Sequence, residues 1–163
     1  MFVVGQKIHR FIDKVNQDIC LKEMLKSYSR FLKSELSNHK HSVKPPLVIF
    51  DVDGTLVDLT SPIPPTISFY QNVKDMGYHT IILTARSEQI KDRTIDLLNK
   101  FGVKGYDDII LRPEKEKETA KFKTNVRKKL ATSYDIVANV GDRIFDFEGG
   151  YNGKIIHLVR LKT

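Results

Sequence analysis

The chain has 163 residues, 40% of them hydrophobic and 29% charged, which suits one folded domain plus an appendage and argues against a disordered chain. No apolar run is long enough to span a bilayer, the start does not read as a secretory signal, and the single cysteine, Cys20, excludes an internal disulfide framework, so a cytoplasmic protein with no membrane partner is expected. The net charge of +7 is uneven, with 9 Lys/Arg against 4 Asp/Glu in residues 1–46 and 18 against 16 in residues 47–163, so an anionic partner or a solvated basic helix face belongs to the first segment.

Residues 6–37 read as helix. Ile8, Phe11, Ile12, Val15 and Ile19, then Leu21, Met24, Leu25, Tyr28, Phe31, Leu32 and Leu36, recur at three- and four-residue steps, with a change of phase near Cys20. The stripe is wide enough to pack on the main domain. An oligomer contact through this arm and a membrane-surface helix are the other readings. Residues 37–46 form a polar linker ending in two prolines, in which His39 and His41 read as solvated. Residues 1–46 are thus a basic amphipathic helical arm and linker, and residues 47–163 are the core.

Leu47 to Phe50 is a short buried strand that runs into Asp51-Val52-Asp53-Gly54-Thr55. After a Pro-rich stretch to Pro65, which contains Asp58, Thr66–Met76 reads as a helix stopped by Gly77. His79–Leu83 is the next strand and ends in Thr84-Ala85-Arg86. An amphipathic helix, Ser87–Phe101, follows with Ile90, Ile95, Leu97 and Leu98 inward. Then come strand Asp108–Leu111, a basic helix over Pro113–Leu130, strand Ile136–Val140 with Gly141-Asp142-Arg143 after it, and strand Lys154–Val159. Short continuous apolar strands alternating with helices predict a doubly wound (Rossmann-like) α/β fold, a parallel five-stranded sheet with helices on both faces. Ligands in such sheets sit at the carboxyl ends of the strands. Asp51 and Asp53, Thr84, and Asp142 with Asp146 all follow strands and all fall at that edge.

A lone Asp-x-Asp-Gly is also an ordinary polar turn. What argues for chemistry is the convergence. Two carboxylates two residues apart repel unless a cation or strong donors sit between them, and oxygen donors suit Mg²⁺. A carboxylate nucleophile, a metal and a hydroxyl donor suit phosphoryl transfer, whose transition state spreads negative charge over oxygen. Asp51 is the expected nucleophile, forming an aspartyl-phosphate. Asp53 is the expected acid and base, with its backbone carbonyl toward the metal. Asp142 and Asp51 are the expected metal ligands, with Asp146 an additional or supporting one. Thr84 is the expected phosphoryl donor, and a lysine should offset the charge. Arg86 either reaches substrate or pairs with Glu88. Arg112, Arg143 and Asp58 read better as surface, packing or capping residues, and Cys20 as packing.

Over residues 47–160 this constellation resembles the haloacid dehalogenase (HAD) superfamily of aspartate-nucleophile phosphohydrolases. Its four motifs stand here as Asp51-Val52-Asp53-Gly54-Thr55, Thr84-Ala85-Arg86, a lysine within 117–123, and Gly141-Asp142-Arg143-Ile144-Phe145-Asp146. The resemblance implies a sheet with the first strand central. For the lysine, Lys115, Lys117, Lys121 and Lys123 compete. Phe122-Lys123-Thr124-Asn125-Val126-Arg127 looks like the Tyr-Lys-Ser-x-x-Arg segment of the acid phosphatase branch (class B and plant type, subfamily IIIB), as does Asn139-Val140-Gly141-Asp142, and that match selects Lys123. Storage proteins related to this branch can lose the nucleophile. Asp51 is present here, which argues for an enzyme, and Asp53 favours a phosphatase over a dehalogenase.

Only residues 56–65 are available for a cap after the first motif, so the core is nearly capless. Residues 112–129 add 8 basic against 3 acidic side chains beside the presumed crevice. The reading that follows is a Mg²⁺-dependent phosphomonoesterase for a small phosphorylated metabolite or nucleotide. The alternatives are a phosphatase for nucleic-acid 3′ ends and a non-catalytic partner-binding relative.

Overall fold

The computed structural model describes residues 2–159. Helix α1 (Phe2–Asn38) is one unbroken rod of 37 residues, about 55 Å long at 1.5 Å per residue. The change of phase near Cys20 does not break it but turns the apolar stripe around it. At about 100° per residue, Leu21, Leu25 and Leu32 lie roughly a third of a turn from Ile8, Val15 and Ile19. The first three are buried in the core, whereas Val4, Ile8, Phe11, Ile12, Val15 and Ile19 are exposed. The arm therefore packs on the core through its second half alone. Cys20 is exposed, not packed.

Strand β1 (Pro46–Phe50) leads into a small hairpin, β2 (Val57–Asp58) and β3 (Ser61–Pro62). Helix α2 (Pro64–Asp75) begins two residues before the expected Thr66, because Pro64 and Pro65 suit a first turn whose N–H groups have no helical partner. Strand β4 (His79–Ser87) runs past Leu83, and a single 3₁₀ turn, Glu88–Ile90, precedes helix α3 (Lys91–Lys100). That turn leaves Ile90 partly exposed, not inward as expected. Strand β5 (Asp108–Arg112) is followed by a loop, and helix α4 starts only at Thr119, running to Leu130. The alternating Glu/Lys run before it has no apolar face to bury. Strand β6 (Asp135–Gly141), a short turn at Ile144–Asp146 and strand β7 (Lys154–His157) are the last elements among the described residues.

The five long strands form one parallel sheet in the order β5-β4-β1-β6-β7, as the alternation of strands and helices predicts. Period-two alternation sorts its two faces. Val48, Phe50, Ile82 and Val140 join Leu25, Leu32, Tyr70 and Leu98 from α1, α2 and α3. Leu47, Ile49, Ile81 and Leu83 meet Phe122 of α4 on the other side. The Phe50 and Tyr70 rings meet edge to face, with centroids 5.2 Å apart. From β1 the chain moves outward through β4 and β5, then crosses back to β6, so the switch in strand order falls at β1. Phe50 pairs with both Ile82 and Val140, which ends β1, β4 and β6 at one edge. Among the described residues no helix is long and apolar enough to cross a membrane.

The base of the arm is tied down by three polar contacts. Tyr78 Oη donates to the Leu32 carbonyl at 2.6 Å, and Lys44 Nζ donates to the Ala131 carbonyl at 2.9 Å. His39 is not a solvated linker residue. Its Nδ1–H donates to the Glu35 carbonyl at 2.8 Å, and its Nε2 meets the Asp135 carboxylate at the start of β6.

The Glu35 carbonyl, then Asp135, hold the His39 pKa above its ordinary 6.5. A folded value above the unfolded one makes this contribution to stability complete below pH 6.5 and removes it as pH rises through the folded value. Thermal melts of the wild type should therefore lose Tm relative to His39→Gln as pH rises above 6.5. Parallel Tm–pH curves for the two proteins would rule the tie out.

Candidate active site

Asp51 leaves the end of the central strand and is 6% exposed. Two donors fix its carboxylate from inside the protein: Lys123 Nζ to Oδ1 at 2.7 Å and Thr55 Oγ1 to Oδ2 at 3.3 Å. Lys123 rises from α4, whose Phe122 anchors the helix in the core, and its ammonium also meets Asp146 Oδ1. The other oxygen of Asp146 accepts the backbone N–H groups of Asp142 at 3.2 Å and Arg143 at 3.0 Å. One helical turn beyond Lys123, the buried Arg127 donates to the carbonyls of Asp146 (2.6 Å), Glu148 and Gly150 (3.0 Å). Asn139 Nδ2 donates to that same Asp146 carbonyl at 2.9 Å. The loop after β6 is thus held by its main chain.

Two glycines admit these carboxylates. Gly54 has φ +75°, and a Cβ there would lie 2.0 Å from Asp142 Oδ2. A Cβ on Gly141 would lie 2.5 Å from Asp146 Oδ2. Oxygens of Asp51, Asp142 and Asp146 consequently come within 4.8 Å of one another. Burial pushes the Asp51 pKa up, Lys123 draws it back, and Asp146 raises it further. Burial and then Asp146 raise Asp142. Burial alone would lower Lys123, but Asp51 and Asp146 together outweigh it and hold the ammonium charged. One lysine therefore faces three carboxylates, and Asp142 Oδ1 is buried with no hydrogen-bond partner. This all-oxygen, charge-deficient cluster fits a hard divalent cation.

Asp53 lies outside the cluster, at the mouth, with its side chain 53% exposed. Arg86 grips it with both ends of the fork, Nε to Oδ2 at 2.9 Å and a terminal nitrogen to Oδ1 at 2.7 Å. Arg86 thus pairs with Asp53, not with Glu88. Thr84 is buried, and its Oγ1 accepts the Arg86 N–H at 3.2 Å. Arg112 is a brace for this segment, donating to the Ala85 carbonyl at 3.1 Å and to the Glu116 carbonyl. Arg143 Nε lies 3.5 Å from Asp142 Oδ2.

Of the four competing lysines, Lys123 alone is buried, whereas Lys115, Lys117 and Lys121 are exposed. With Lys123 and Arg127 inside, the outward basic excess of residues 112–129 is smaller than the sequence count suggests. The supporting roles of Thr55, Arg127 and Asn139 were not foreseen. The signal was there for Arg127, since i and i+4 share a helix face with Lys123.

A family model described as HAD superfamily, subfamily IIIB (Acid phosphatase), matches residues 58–161, starting just after the Asp51–Thr55 segment. Vegetative storage protein 1 of Arabidopsis thaliana is 31% identical over 101 residues, 61% of this chain and 37% of the relative. Vegetative storage protein 2 of the same plant is 33% identical over 101 residues, 61% of this chain and 38% of the relative. The stem 28 kDa glycoprotein of Glycine max is 29% identical over 96 residues, 56% of this chain and 38% of the relative. The chain spans less than two-fifths of the length of these relatives. Among solved structures, a chain of the Pnkp1/Rnl/Hen1 complex superposes with a TM-score of 0.61 at 20% identity, over 71% of this chain and 46% of that one, which is a likeness of fold.

Lys123→Met would leave the Asp51 and Asp146 carboxylates buried against each other. In chelator at neutral pH the expected loss is roughly 3–5 kcal/mol of unfolding free energy. The loss should shrink toward pH 5, because Asp51, its pKa raised by burial, binds a proton that the unfolded chain does not. Urea titrations at about pH 7.5 and pH 5 read this directly, and an equal loss at both would contradict the charge cluster.

Proposed function

The chain belongs to subfamily IIIB, the acid phosphatases, of the HAD superfamily, and on that premise we propose that it is a Mg²⁺-dependent phosphomonoester hydrolase working through an aspartyl-phosphate on Asp51. The observation that carries this reading is the buried Asp51, clamped by Thr55 and Lys123 and facing two further carboxylates at the switch point of the sheet.

Asp51, Asp142 and Asp146, with the Asp53 carbonyl, would hold the cation. When bound, Mg²⁺ neutralises charge on the phosphoryl oxygens. The clamp on Asp51 fixes the rotation of its carboxylate for attack on phosphorus. Its oxygen forms the new P–O bond while the bond to the leaving group breaks, and Asp53, released from Arg86 and protonated from solvent, gives the leaving-group oxygen its proton. Asp53 then takes a proton from water, whose oxygen attacks the same phosphorus. Inorganic phosphate leaves and Asp51 is restored. Lys123 offsets the charge of the phosphorylated carboxylate, and Thr84 is the hydroxyl donor to the phosphoryl group. Arg86 keeps Asp53 at the mouth until substrate arrives, and its fork is then free for the phosphate or the leaving group.

The substrate proposed is a small phosphorylated metabolite or nucleotide. A second reading, phosphate removal from nucleic-acid 3′ ends, is favoured by two observations. No segment longer than the β2–β3 hairpin intervenes between β1 and α2 to close over the site. One solved structure with this fold is that of the Pnkp1/Rnl/Hen1 RNA repair complex.

Release of phosphate from an aryl phosphate should require Mg²⁺, stop in chelator, and fall to background in Asp51→Asn. Asp53→Asn should lower kcat on the order of 10²–10⁴-fold. Undiminished turnover in Asp51→Asn would refute the mechanism. A panel of nucleotides and 3′-phosphorylated oligonucleotides then separates the two substrate readings.

A further inference from the structure

The first half of α1 carries an apolar face that no described residue covers. Val4, Ile8, Phe11, Ile12, Val15 and Ile19 are 41 to 69% exposed, on the same helix whose Leu21, Leu25 and Leu32 are buried. Positions 4, 8, 11 and 15 step by four, three and four, the spacing of a coiled-coil seam, with Ile12 and Ile19 widening it on one side. We propose that this face pairs with the same face of a second copy of the chain, as an antiparallel two-helix seam.

Area favours a second copy. Six side chains at these exposures present on the order of 600 Å² per copy, so a self-paired seam buries about 1,200 Å² in total, the lower end of specific interfaces. A patch of that size is at the upper limit of what a monomer leaves exposed. Charge argues against a lipid surface. A membrane-surface helix has a polar face rich in Lys and Arg, whereas residues 4–20 offer Lys7, Arg10 and Lys14 against Asp13 and Asp18. Charge also sets the direction. At about 100° per residue, Lys7, Lys14 and Asp18 fall on one flank of the stripe. Antiparallel pairing brings that flank against itself reversed, so Asp18 lies beside the second copy's Lys7. Parallel pairing would set Asp18, at the next seam position, against its own equivalent. The antiparallel pair is isologous and closes as a dimer.

The test uses the full chain. Light scattering and sedimentation at micromolar concentration should give twice the 18.8 kDa chain mass. Phe11→Glu should raise the dimer dissociation constant by at least about 30-fold, the size of an aromatic hot spot. The core should still unfold cooperatively, since Phe11 is 69% exposed within one copy. Lys7→Glu and Asp18→Lys should each weaken the dimer, and the double exchange should restore it. A chain mass that stays at one copy up to about 100 µM, where even a weak seam would form, overturns the proposal. So does a dimer indifferent to Phe11→Glu, or a monomer that instead binds anionic phosphatidylserine vesicles through this face. Failure of the double exchange to restore the dimer overturns the antiparallel arrangement.

Discussion

The site depends on one buried ammonium. Lys123 touches Asp51 and Asp146 at once, and removing the lysine leaves two buried carboxylates facing each other with no ammonium between them. Such a triad contributes little net stability, because desolvation offsets most of the attraction. What it contributes is position. It ties α4 on one face of the sheet to the ends of β1 and β6. The neighbouring features serve it: Phe122 anchors the helix, Arg127 and Asn139 hold the loop that carries Asp146, and Gly141 makes room for the carboxylate. With Asp142 added, the negative charge exceeds what one lysine can balance. The same surplus favours a cation among the three carboxylates.

The sheet was legible because its signals are local. Leu47 to Phe50, Ile81 to Leu83 and Ile136 to Ala138 are apolar runs too short for helices, each ending in polar residues. The gathering of Asp51, Thr84 and Asp142 at one edge then follows from parallel topology alone. Boundaries were legible only where one residue dominates. Pro64 moved the start of α2, and the Glu/Lys alternation before Thr119 looked helical by propensity but had nothing to pack. Three-dimensional pairings were the least legible. Glu88 is near Arg86 in sequence, but Asp53 is the partner in space, 33 residues away. His39 reads as a linker residue because its partner, Asp135, lies 96 positions on.

The arm shows how far periodicity reaches. Its apolar spacing identifies a helix and marks the change of phase, yet spacing cannot say which stripe meets the core. The structure assigns Leu21, Leu25 and Leu32 to the core and leaves the other stripe outward. The tie at His39 sits at the start of β6, the opposite end of that strand from Asp142. Movement at the foot of the arm is therefore separated from the chemistry by the length of a buried strand.

Arg127 has a consequence for how this site can diverge. Its guanidinium is satisfied by three main-chain carbonyls, at Asp146, Glu148 and Gly150, and by no carboxylate. Every residue type offers a carbonyl, so side chains such as Glu148 are open to replacement while the path of the loop, and the place of Asp146, stay the same. The loop can acquire new recognition surfaces by mutation without moving the charged centre it supports.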